Sequence, residues 1–193
     1  MQTTLILKKN YDEVIIPHGI KTIIMAKGFN SNVIFPDSVK KIKLGMMFNK
    51  DIILPTGLHT FIMGWYFNKE IILPSGLREF EMGLMFNKDI ILPKSLLYLK
   101  LGRAFSRVID IPKRLISLNL LFCSPKTISI NVFVFPNTLR KIIANRAFLK
   151  YDYIDNLPIT VALILIYGLD KVSLSCNFAT LVLDYKIKER IYA

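Results

Sequence analysis

The amino-acid sequence predicts a β-rich solenoid: a right-handed coil of about nine short rungs carrying two parallel β-sheets. Three observations predict it. Prolines recur at one constant interval, at Pro17, Pro36, Pro55, Pro74, Pro93 and Pro112. The stretch FNKDIILP at 48–55 returns as FNKEIILP at 67–74 and as FNKDIILP at 86–93. After each proline, apolar residues alternate with exchangeable ones at the period of two that marks a half-buried strand. A fixed step of this length decides the architecture before local propensity does. One such coil cannot bury its apolar side alone and must stack on its neighbours.

With each proline as position zero, +3 holds Ile20, Val39, Leu58, Leu77, Leu96 and Leu115. Position +6 holds Ile23, Ile42, Phe61, Phe80, Leu99 and Leu118, and +8 holds Met25, Leu44, Met63, Met82, Leu101 and Leu120. This is L-x-x-L-x-L, the strand signature of a leucine-rich repeat. Side chains alternate across a strand, so +6 and +8 face the core while +5 and +7 face outward. A glycine at +9 (Gly45, Gly64, Gly83, Gly102) opens a tight turn into a corner at +12, where Phe29, Phe48, Phe67, Phe86 and Phe105 recur. Each ring fills its corner and stacks on the ring of the next rung. Asn30, Asn49, Asn68 and Asn87 follow, with Ser106 after the fifth ring. These asparagines are expected to take a left-handed backbone and to satisfy turn N–H and C=O groups with their amides.

A second short strand precedes each proline. Ile52-Ile53-Leu54 is apolar throughout, but Ile109-Asp110-Ile111 carries a charge in the middle, which marks the middle residue as outward-facing. The same register leaves Ile15, Ile34, Ile53, Ile72 and Ile91 in one outward row, with Val134 extending it beyond Asp110. A contiguous apolar strip of this kind implies self-association or partner docking. Ile34, Ile53, Ile72 and Ile91 are the candidate self-association residues, and a two-fold homodimer is the simplest geometry.

The whole chain, 1–193, is expected to form a single domain. Residues 1–16 make a starting rung, with Leu5, Leu7 and Tyr11 at +6, +8 and +12 and one residue missing afterwards. Residues 17–121 hold the regular repeats. The interval from Pro112 to Pro136 is longer than those before it, so 122–136 is a bulged rung with its insertion around Phe122-Cys123-Ser124-Pro125. Longer repeats occupy 137–167, with Leu139, Ile142 and Ala144 at +3, +6 and +8, and then Val161, Ile164 and Ile166 after Pro158. Residues 168–193 are a degenerate C-terminal cap, whose irregularity protects the end of the stack from pairing with another chain.

Composition excludes several function classes. The longest apolar stretch, Ile159 to Leu169, is about half of the roughly 20 residues that a spanning helix needs, so no membrane insertion is expected. MQTTLILKKNY does not read as a signal peptide, and an intracellular, cytoplasmic protein is expected. Cys123 and Cys176 stand in apolar stretches without metal-ligand spacing and read as buried reduced thiols. No GxSxG, HExxH, P-loop or GxGxxG occurs, and no cofactor or metal is expected. Glu79 and Glu81 share one strand face, as an acid-base pair would. Tyr98 and Lys100 on the next rung are natural partners that would neutralise them, and the chain is expected not to be an enzyme.

Charge carries the remaining functional signal. The formal net charge is +12. It is spread along the chain, with equal net positive charge before Lys113 and from it onward. Position +4 forms a partial basic ladder of Lys21, Lys40, His59, Arg78 and Arg140, interrupted by Leu97 and Ile116. Lys40, Lys41, Lys43, His59, Arg78, Tyr98 and Lys100 are the candidate partner-binding residues. A mixed polar and apolar strand face favours a protein partner, expected to be acidic. The alternative is sequence-independent binding of a nucleic acid or other polyanion.

LGMMFNKDIILPTGL (44–58), MGWYFNKEIILPSGL (63–77) and MGLMFNKDIILPKSL (82–96) resemble FNIP repeats, the Phe-Asn relatives of leucine-rich repeats found in amoebal proteins and in large DNA viruses. The family's usual step is longer than the rungs here, whereas FLKYDYIDNLP, 148–158, has the family's full Phe-to-Pro length. Arg103-Ala104-Phe105 and Arg146-Ala147-Phe148 are similar to the Ala-Phe corners of BspA-type repeats. The resemblance covers about residues 11 to 167 and implies a solenoid with no catalytic residues. For a viral chain it implies the host cytoplasm. Some members carry an F-box that links them to ubiquitin ligases; with the solenoid expected from the first residues, that role is not expected to carry over.

Overall fold

The computed structural model describes residues 3–123, 135–145, 162–167 and 170–175. Its strands are β1 (Thr4–Leu7), β2 (Glu13–Ile15), β3 (Thr22–Met25), β4 (Asn32–Ile34), β5 (Lys41–Lys43), β6 (Thr60–Ile62), β7 (Glu79–Glu81), β8 (Tyr98–Lys100), β9 (Ser117–Asn119), β10 (Lys141–Asn145), β11 (Ala162–Tyr167) and β12 (Asp170–Ser175). The main sheet runs β1-β3-β5-β6-β7-β8-β9-β10-β11-β12 and is parallel up to β11. Among the described residues, nine parallel strands therefore stack side by side as the main sheet of a leucine-rich-repeat-like solenoid. Thr22, Lys41, Thr60, Glu79, Tyr98 and Ser117 are successive partners, each one repeat on from the last.

Each rung is built by local geometry before it stacks. Proline fixes its own φ, and its carbonyl accepts from the N–H at +3, as in Leu58 to Pro55 and Leu77 to Pro74, both 3.1 Å. That turn aims the +3 leucine inward: Leu58, Leu77, Leu96 and Leu115 are fully buried. Strand alternation then buries Ile42, Phe61, Phe80 and Leu118 while their flanking residues stay at the surface. At the corner, the Phe48 N–H closes a turn onto Gly45 O at 3.1 Å. Phe29, Phe48, Phe67, Phe86 and Phe105 stack in one buried column, with successive ring centroids 6.2–6.4 Å apart and planes within 14°.

Asparagine works between rungs. Asn49, Asn68 and Asn87 each donate a backbone N–H to Oδ1 of the preceding rung's asparagine at 2.9–3.0 Å, and Ser106 continues the series on Asn87. The expected left-handed backbone is corrected: among the described residues none other than Gly19 has positive φ. The amide acts across the stack, where the orphan N–H groups lie. A second set of hydroxyls does the same at +2. Ser38, Ser95 and Thr138 donate to Ile20, Leu77 and Leu115 carbonyls at 2.6–2.9 Å.

The second parallel sheet consists of β2 and β4. In later rungs the pre-proline segment keeps its inward–outward alternation without a ladder, and the proline that follows removes one donor per rung.

Four other expectations change. Tyr11 is not the first corner ring; it is 62% exposed. Asn10 Oδ1 accepts the Asn30 N–H as Asn30 Oδ1 accepts that of Asn49, so Asn10 takes the asparagine position and Tyr11 lies past the corner. The rung after Pro112 turns one residue early: Cys123 N–H bonds Leu120 O at 3.1 Å, and Cys123 is buried at the corner. The expected bulge around Ser124-Pro125 lies outside the described residues, as do Val134, Phe148, Pro158 and Cys176. Ile142 pairs with Leu163 and Ala144 with Leu165, one residue earlier than the proline count implies. Finally, β12 returns antiparallel to β11 as a hairpin partner in place of a simply decaying last rung.

Candidate interaction surfaces

The outer face of the main sheet carries the residues expected to meet a partner. One row runs Lys41, Thr60, Glu79, Tyr98, Ser117, Lys141 and the next runs Lys43, Ile62, Glu81, Lys100, Asn119, Ile143. Lys41, Lys43, His59, Arg78 and Tyr98 are exposed, and Lys40 and Lys100 are half-buried. The Lys40 side chain lies over Gly57 of the following rung. Lys40, Lys41 and Lys43 share one rung, while Arg78 stands two rungs away behind His59, so the four cations form a ladder and not a single cluster. Two carboxylates interrupt it. Lys100 pairs with Glu81, as expected, and its ammonium also sits 5.3 Å from the centroid of the Phe122 ring. Glu79 is paired with Tyr98 on the next rung, as expected, and accepts from the Thr60 hydroxyl of the rung before at 3.1 Å.

These contacts bear on catalysis. Glu81 is paired with Lys100, whereas Glu79 is exposed, so the two carboxylates stand in different surroundings. His18 and His59 are exposed singly. Burial raises the Cys123 thiol to about 12, which keeps it protonated and unreactive at neutral pH. Among the described residues no group of His, Cys, Asp and Glu could hold a metal ion, and no helix is long and apolar enough to cross a membrane.

The isoleucine row lies on the pre-proline side. Ile53, Ile72 and Ile91 are each 89% exposed, and Ile15 and Ile34 are mostly exposed. Ile52 and Ile71 are half-buried and Leu54 and Leu73 buried, so only the middle residue faces out. A shallow groove of about 870 Å³ lies beside Ile53 and Ile72, and Glu70, Asp89 and Arg107 also line it. The flanking charges form loose, exposed ion pairs, Lys69 to Asp51 at 3.9 Å and Arg107 to Asp89 at 3.8 Å, worth little in stability.

A third surface escaped the sequence reading. Positions +10 and +11 lie at the corner and line up Met47, Trp65, Tyr66, Met85 and Phe122, all about half exposed. Met, Trp and Tyr are the residue types enriched at protein interfaces. Their recurrence in three successive repeats, from Met47 to Met85, was the available signal. Their residue types vary from rung to rung, so no consensus residue drew the eye.

No family model and no curated protein matches the chain. Among solved structures it is similar to CroV588, whose crystal structure is described as a novel circular LRR protein structure. The identity is 26% over 78% of this chain and 24% of that one, with a TM-score of 0.60. The chain thus spans about a quarter of that protein's length. The likeness places this fold among leucine-rich-repeat solenoids, an architecture typical of protein-interaction scaffolds.

Proposed function

We propose that this leucine-rich-repeat-like solenoid, of FNIP type, is a non-enzymatic, intracellular scaffold for protein–protein interaction that self-associates through its isoleucine row. The carrying observation is the threefold repetition of an 89%-exposed isoleucine at Ile53, Ile72 and Ile91. With Ile15 and Ile34 the row spans about 19 Å at the spacing of paired strands, and monomers seldom leave such a strip uncovered. Ile53→Lys with Ile72→Lys sets two charges where a packed interface cannot take them unpaired. Light scattering on a sizing column is expected to show a wild-type dimer and a folded monomeric variant. A wild-type monomer at high concentration would reject self-association.

The basic ladder supports acidic protein partners. Glu79 and Glu81 break the positive track in mid-sheet, which suits a protein better than a phosphate backbone that needs cations throughout. Replacing Lys40, Lys41, Lys43 and Arg78 by Glu is expected to leave the circular dichroism spectrum unchanged and to abolish binding to polyaspartate. Unchanged binding would reduce the ladder to a solubility feature. Wild-type affinity for duplex DNA that falls steeply with salt and exceeds that for polyaspartate would favour the polyanion reading.

A further inference from the structure

Between the main sheet and the Met–Trp corner lies a groove of about 740 Å³. Its floor is the +7 row, from Ile24 through Ile62 to Lys100, and its wall rises at +10 with Met46, Trp65 and Leu84. Over four rung spacings the floor is about 19 Å long, enough for about six residues of extended chain. The polar groups are distributed unevenly. At one end Glu81 and Lys100 neutralise each other, and Phe122 covers the lysine. At the other end Lys27 and Lys43 are exposed and form no ion pair among the described residues. The middle is apolar, lined by Ile62, Met63 and Trp65.

The geometry points to a docking groove for an extended acidic peptide of another protein, whose aromatic or aliphatic anchor sits against Trp65 and whose carboxylates reach Lys27 and Lys43. Charge complementarity decides the class of occupant. A purely apolar segment would leave two cations unanswered, and a nucleic acid would meet an apolar wall and the Glu81 carboxylate where it needs cations. An acidic segment with a central anchor answers both ends. The inference deepens the interaction-scaffold reading and uses a surface separate from the isoleucine row, so the two can fail independently.

Trp65 is the only tryptophan in the chain, which makes the groove its own reporter. A displayed library of random peptides is selected on the full chain, and the enriched peptides are then titrated while Trp65 emission is followed. The expected result is enrichment of Asp and Glu around an apolar residue, with a blue shift of the emission on binding. Read by the fluorescence polarisation of a dye-labelled peptide, which needs no tryptophan in the protein, Lys43→Glu and Trp65→Ser, both surface changes, are each expected to weaken binding about tenfold or more, as central anchor residues do. Ile53→Lys with Ile72→Lys is expected to leave it unchanged. Failure to enrich any peptide, enrichment without acidic residues, or affinity indifferent to Trp65→Ser would overturn the proposal. So would displacement of the peptide by a single-stranded oligonucleotide at moderate salt. If the peptide result fails while the isoleucine variant still dissociates the dimer, the groove is wrong and the scaffold reading stands.

Discussion

Replacing Phe67 by alanine is expected to destabilise the protein by about 3 to 5 kcal/mol, the cost of a large core truncation that cannot collapse. Phe67 is fully buried, with Phe48 on one side at 6.3 Å and Phe86 on the other at 6.4 Å. The neighbouring rings are held by their own rungs, whose backbones are tied through Tyr66 N–H to Met46 O and Met85 N–H to Trp65 O. They cannot slide together to fill the space. In a stack where each rung touches only its neighbours, the gap weakens two interfaces at once. Urea unfolding followed by circular dichroism measures the loss. Tyr66→Ala, one residue away and half exposed, serves as the control and should change stability by about 0.5 kcal/mol or less. Equal losses for the two variants would contradict a stacked aromatic column.

Gly64→Ala is expected to be as damaging, at about 3 kcal/mol or more, although it adds only one methyl group. A Cβ at Gly64 would lie 3.0 Å from the carbonyl carbon of Gly45 and closer still to its oxygen. Gly45, Gly83 and Gly102 face the same obstruction from the rung before. The obstacle is backbone, which no rotamer change can move. The rungs must part locally, stretching the Tyr66 to Met46 and Asn68 to Asn49 bonds that follow Gly64 in the chain. Hydrogen exchange should show lost protection at Tyr66 and Asn68, and the urea midpoint should fall. Gly76→Ala is the control, because nothing lies within 4 Å of a Cβ there. A wild-type midpoint for Gly64→Ala would mean that the rungs approach less closely than described.

The candidate site was legible to different depths. The exposed isoleucine row followed from one charged residue, Asp110, because a charge in a repeated position reports the solvent side for every copy. Pairing of Glu81 with Lys100 followed from strand register, since residues on adjacent rungs at +7 must be neighbours. The corner strip did not follow. Met46, Trp65 and Leu84 share position +10 but no residue type, and whether they face outward depends on how the turn after +9 is set against the next rung. Asn49 and Asn68 were read as local turn residues because a single coil offers them only local partners. Their actual acceptors and donors exist once a second coil is in place.

The sequence by itself determined the constant step of the repeat, the inward and outward positions within each coil, and the phenylalanine column. Each of these is a choice between water and core made residue by residue, and burial free energy imprints that choice on residue type. Tertiary structure decided what depends on distances between coils. The need for glycine at Gly64 comes from the carbonyl of Gly45, one full repeat earlier in the chain. The register of β11 was open because ALILIY is apolar on both faces, and a strand without alternation carries no signal against a one-residue slip. The antiparallel return of β12 and the early turn at Cys123 likewise follow from how the last rungs meet their neighbours. A repeat pattern encodes which side of a coil is dry, while contact between coils settles how closely they stack and which polar groups find each other.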